Sequence, residues 1–107
     1  MADAFKVLYQ GQPTTGVTTL TTVPALHTWI IKHITAVNND ASARTFALYT
    51  GGTVAANIIT PPAISIPAGG SWEWCPCNIT LEASRTVAGL ASASAQVTVT
   101  FFGDDIT

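Results

Sequence analysis

Charge is scarce in this sequence. Four Lys or Arg and six Asp or Glu make up 9% of 107 residues, where ordinary soluble domains carry roughly 25%. The formal net charge is −2, and the basic residues Lys6, Lys32, Arg44 and Arg85 are scattered along the chain. A phosphate backbone needs clustered cations, so nucleic acid is excluded as the main partner. No stretch approaches the ~18 consecutive apolar residues of a spanning helix, which speaks against a membrane. Met1-Ala2-Asp3-Ala4 has neither the basic start nor the apolar core of a secretory signal. The expectation is a protein made in a cytoplasm and kept there. Cysteine is equally sparse. A bridge between Cys75 and Cys77, two residues apart, would be strained, so both are read as free thiols of a reducing compartment.

What is present is 48% hydrophobic, with Thr, Ser, Asn and Gln left to cover the surface. Such a surface has little electrostatic protection against association and suits a protein packed against partners. The length predicts one domain spanning residues 1–107. Helical periodicity is absent. Gly and Pro cut the chain into short pieces that alternate with period two and are rich in Thr, Val and Ile, the mark of half-buried strands.

Strands are expected over residues 5–9, 17–23, 28–37, 44–50, 53–59, 64–66, 71–74, 79–81, 86–90 and 95–102. Alternation places Phe5, Val7 and Tyr9 on one face, against Lys6 and Leu8. It places Trp29, Ile31, His33, Thr35 and Val37 together, against Ile30, Lys32, Ile34 and Ala36. Phe46 and Leu48 oppose Ala47 and Tyr49, and Val97, Val99 and Phe101 oppose Gln96, Thr98 and Thr100. Asn38-Asn39-Asp40 and Gly51-Gly52 are turns. Residues 91–95 read as a flexible loop and 104–107 as a fraying tail. Eight to ten short strands at this spacing define an all-β, single-domain antiparallel β-sandwich of jelly-roll or immunoglobulin-like type.

Catalytic signatures are missing. There is no Gly-x-Ser-x-Gly elbow, and neither His27 nor His33 sits in a catalytic motif. Glu73 and Glu82 are the only carboxylates near the middle of the chain, and nothing in the sequence requires them to meet. Cys75, Cys77, His27 and His33 form a zinc-compatible set of side chains. Six residues along a strand separate the histidines by roughly 20 Å, too far for one ion. Cys75 and Cys77 share a face only if Pro76 leaves the strand unbroken, in which case one histidine with both thiols is the remaining ligand set. No catalytic, cofactor-binding or metal-binding residue is assigned, no cofactor is expected, and the chain is read as a non-enzyme.

The aromatics carry more. Trp72 and Trp74 flank Glu73 and point to one face, where they fill the core, anchor a protein interface or stack on a sugar. Phe101 and Phe102 must face opposite ways, one into the core. Tyr9 and Tyr49 each end a strand that runs into a glycine turn. Trp72, Trp74, Phe102, Tyr9 and Tyr49 are the candidate interface residues.

The order of segments is itself distinctive. Val7-Leu8-Tyr9-Gln10-Gly11-Gln12 leads through a Thr-rich stretch to Thr21-Thr22-Val23-Pro24-Ala25. Ile30-Ile31-Lys32-His33-Ile34, Val37-Asn38-Asn39 and Ala43-Arg44-Thr45-Phe46-Ala47-Leu48-Tyr49-Thr50-Gly51-Gly52-Thr53 follow. Ile66-Pro67-Ala68-Gly69-Gly70-Ser71-Trp72-Glu73-Trp74 and Ile79-Thr80-Leu81-Glu82-Ala83 come after. This order resembles small β-sandwich structural proteins of tailed bacteriophage particles: capsid decoration, minor capsid and small tail-associated proteins. Cys75-Pro76-Cys77 departs from the pattern. The resemblance implies synthesis in a bacterial host cytoplasm and residence on the capsid or tail surface. The implied partners are the major capsid protein or a tail protein of the same particle. A homo-oligomer, trimer or ring, is expected, and a host surface glycan is the alternative ligand.

Overall fold

The computed structural model describes residues 3–75 and 77–107. Among them nine strands form: β1 (Asp3–Gly11), β2 (Thr18–Thr22), β3 (Thr28–Asn38), β4 (Arg44–Thr50), β5 (Ile64–Ile66), β6 (Ser71–Trp74), β7 (Ile79–Leu81), β8 (Thr86–Ala91) and β9 (Val97–Ile106). The first sheet has the order β1-β9-β3-β6, and β7 also pairs with β3. β6 lies against residues 34–37 of β3 and β7 against residues 29–31, so the two are halves of one broken edge strand. The second sheet has the order β2-β8-β4-β5.

All of these pairings are antiparallel, and they nest: β1 with β9, β2 with β8, β3 with β6 and β7, β4 with β5. One long folded hairpin wrapped into two sheets is a jelly roll, the first of the two sandwich types expected. The accessible surface, 5325 Å², does not exceed the about 5,700 Å² typical of a monomer of this mass. The sandwich therefore closes its core with its own residues. That core joins Ile31, Ile34, Val97, Val99 and Phe101 of the first sheet to Phe46, Leu48 and Val87 of the second.

Two β-bulges overturn the expected faces of the first sheet. The register slips between Val7 and Tyr9 in β1, and between Ile31 and His33 in β3. Each slip inserts one residue and reverses the alternation beyond it. Phe5 and Val7 therefore stand outside, while Tyr9 packs on Phe101 in the core with ring centroids 5.7 Å apart. In β3, Trp29 and Ile31 point in, but so do Ile34, Ala36 and Asn38 further on, and His33, Thr35 and Val37 turn out. β4 and the first half of β9 keep the expected alternation: Phe46, Leu48, Val97, Val99 and Phe101 are all core.

Two further expectations fail. Residues 53–59 form a 3-10 turn at Ala55–Asn57 and pair with β4 at a single bridge, Ile58 with Tyr49, where Ile59 N–H donates to Leu48 O at 2.9 Å. Leu48 N–H donates to the Thr60 hydroxyl at 3.0 Å, so a side chain replaces a strand carbonyl just before Pro61-Pro62 ends the run. The tail does not fray. β9 continues to Ile106, and Asp105 is buried, with His27 Nδ1 at 2.7 Å and Lys6 Nζ at 3.1 Å from its carboxylate oxygens. Those two contacts tie the last strand to β1 and to the segment that enters β3. They hold the Asp105 carboxyl below the ordinary carboxylate range, the His27 hydrogen bond most of all.

Buried Asn38 closes the opposite end of the sandwich. Its Nδ2 lies 2.9 Å from Ser42 O, 3.1 Å from Ile66 O and 3.2 Å from Pro67 O, and its Oδ1 accepts from Asp40 N–H. One satisfied amide thus binds the β3–β4 turn to the β5–β6 turn.

Candidate docking face

The bulges put a band of apolar side chains on the outside of the first sheet. Reading across the strands, Val7 pairs with Phe102 and Phe102 with His33; one row over, Phe5 pairs with Asp104 and Asp104 with Ile30. Phe5 is 66% and Val7 49% exposed, while Phe102, Ile30 and Ile106 are half-buried. His33 lies against Phe102 with ring centroids 5.4 Å apart.

A polar rim surrounds this band. His33 Nε2 donates to Glu73 Oε2 at 2.9 Å, Lys32 Nζ lies 3.7 Å from Asp104, and Gln10 Nε2 donates to the Thr100 hydroxyl at 3.0 Å. On this face Lys32 and Asp104 are paired with each other, and Glu73 is held by His33. An apolar centre inside a polar, internally paired rim has the anatomy of a protein contact surface.

Of the five candidate interface residues, Phe102 alone lies on this face. Trp72 and Trp74 turn inward and pack against the core. Trp72 meets Phe46 of the opposite sheet edge-on, centroids 5.2 Å apart, and Trp74 stacks edge-on behind it at 6.3 Å. The pair, partly buried, plugs the side of the sandwich between β6 and the second sheet. Tyr9 also turns in, and burial raises its phenol above the usual range. Tyr49 stands on the outside of the second sheet but is sealed there by Val17, Ile58 and Leu90.

Phe5, Val7 and Ile30 were not singled out from the sequence, and His33 and Glu73 were weighed there for metal binding or catalysis and not as parts of a contact face. A signal for part of the band exists in β3. Its buried positions switch from odd (Trp29, Ile31) to even (Ile34, Ala36), and a phase switch inside one apolar run marks a bulge. β1 has no such signal, because Leu8 and Tyr9 are both apolar and either fits the core.

The polar side chains weighed for catalysis or metal binding are dispersed. Glu73 pairs with Thr35 and Leu81 with Trp29, six residues apart on β3. That separates Glu73 from Glu82 by about 20 Å, beyond the roughly 5–9.5 Å of a glycosidase pair. Glu82 instead borders an open polar depression of about 340 Å³ beside Gly51, Ser84 and Arg85. Cys75 is exposed, whereas Cys77 is buried, with its thiol 3.5 Å from Ile31 O and its pKa raised by that burial. Pro76, on which their shared face depended, lies outside the described residues. Among the described residues no three His, Cys, Asp or Glu side chains cluster as metal ligands. Among the same described residues no helix is long and apolar enough to cross a membrane. Compared with known proteins, the chain matches no family profile and no curated sequence.

Proposed function

We propose that this protein is a structural component of a tailed-bacteriophage particle, a capsid decoration or minor capsid protein. Many copies dock on a repeating shell lattice through the outer face of the first sheet and favour the assembled state by binding it. The observation that carries the reading is the open Phe5, Val7 and Phe102 band inside its paired polar rim. A chain with 9% charged residues that leaves large apolar groups uncovered on a closed sandwich is suited to a permanent contact. Jelly rolls also recur among viral capsid domains, an analogy of fold that adds weight without fixing function.

Each contact can be weak, because copies on a lattice act together. Attachment to a tail surface would use the same face on a different partner. A glycan role has less support, because the two tryptophans that motivated it are turned to the core.

Composition analysis of purified particles tests the proposal. The chain is expected in fixed stoichiometry with the shell protein, and Phe102→Lys is expected to fold but to be lost from particles. Absence from particles, or unchanged incorporation of Phe102→Lys, would overturn it. Particle images separate capsid from tail by the site of the missing density.

A further inference from the structure

We infer that two copies of this chain pair through β1, edge to edge and antiparallel about a two-fold axis, joining their first sheets into one. The inference concerns the isolated protein and does not depend on the particle assignment.

A jelly roll leaves four sheet edges, and three of them here are blunted. β5 has three residues, set between Pro61-Pro62 and Pro67. β6 and β7 are separated by the break at residues 75–78. β2 has five residues and a register slip between Thr19 and Thr21, and threonines are its only exposed side chains. Short, interrupted, bulged and proline-flanked strands are the usual defences of an edge against pairing.

β1 is the least blunted of the four. It too carries a bulge, but it runs nine residues, contains no proline and pairs with β9 in unbroken register over residues 3–7. The guard expected on such an edge is a projecting lysine. Lys6 does not serve, because its ammonium is drawn to Asp105 at 3.1 Å. Phe5 and Val7, both exposed, flank the free edge instead.

These facts select the occupant. An extended strand satisfies a free edge through main-chain hydrogen bonds. The one long edge this chain can offer is β1 itself. An edge that pairs only with its like gives a closed two-fold dimer, not a ring, which needs two different complementary edges. Self-pairing sets the exposed Phe5 and Val7 of one copy beside apolar side chains of the other, and Lys6 enters the contact already ion-paired within its own subunit. The dimer replaces the trimer or ring expected from the sequence and doubles the open face into one continuous platform.

Sedimentation and light scattering of the purified protein, from micromolar to millimolar concentration, test this. A monomer–dimer equilibrium is expected, with concentration-dependent hydrogen-exchange protection in residues 5–7. Val7→Lys is expected to weaken dimerisation by about tenfold or more. Phe102→Ala, one strand in from the edge, is expected to leave it within about twofold. A wild-type protein that stays monomeric throughout overturns the inference, even if β1 becomes protected on particles, because the occupant would then be another protein's strand. A dimer without added protection in β1 overturns it as well. The exchange measurement on wild type decides the matter should Val7→Lys fail to fold.

Discussion

The two outer faces of this sandwich differ in what covers them. On the second sheet Ala47 and Ala88 are fully buried and Tyr49 is 9% exposed, although all three point away from the core. The chain covers them itself: the excursion after β4 brings Ile58 back beside Tyr49, and Val17 packs alongside. On the first sheet nothing of the described chain returns over Phe5, which stays 66% exposed. Small outward residues under a loop make a second, minor core. Larger outward residues without a cover leave an apolar surface open to solvent.

Neighbouring substitutions can break this comparison. The largest effect is expected at Phe101, in the core, where Phe101→Ala costs about 3–5 kcal/mol. Phe102→Ala, one residue on and facing out, costs less than about 1 kcal/mol. Denaturant unfolding of both variants measures the gap, and near-equal losses would mean the face is already buried. Gly103→Ala follows at about 2–4 kcal/mol, because a Cβ there would meet the Ile30 carbonyl oxygen at 2.0 Å, with backbone on both sides of the clash.

Tyr49→Ala tests the covered face. It is expected to cost about 2–3 kcal/mol as its satellite cluster opens, whereas Val7→Ser on the open face stays within about 0.5 kcal/mol. Comparable melting temperatures for the two would remove the distinction drawn between the faces.

Asp105 gives a pH-dependent test of what holds the open sheet's edge strand. Its carboxyl titrates below the ordinary value of about 3.9. The stabilisation it supplies is therefore complete above that value and is lost as pH falls through the lower, folded one. Asp105→Asn should melt below wild type at neutral pH, and the difference should shrink in strongly acid solution. A gap that stays constant down to the acid limit would show that the ion pair to Lys6 and the hydrogen bond to His27 contribute nothing.

Much of this fold was legible in the sequence. β4 was placed at residues 44–50 from Gly, Pro and alternation alone, as were β5, β6 and β7 at their observed bounds. Those are short segments between strong turn residues, where local chemistry decides. The candidate face was barely legible. Phe102 was found because adjacent residues in a strand must diverge, so burying Phe101 exposes its neighbour. Phe5 and Val7 were assigned to the same face as Tyr9, and a bulge separates them.

Residue chemistry along the chain was enough to determine that this is a β-sandwich, where its turns fall, and that its surface is poor in charge, because period, turn preference and composition are local properties. Only the folded molecule decided which apolar residues are core and which are left outside. That depends on where a strand slips by one residue and on which loop returns over which sheet, and both are settled by partners distant in sequence.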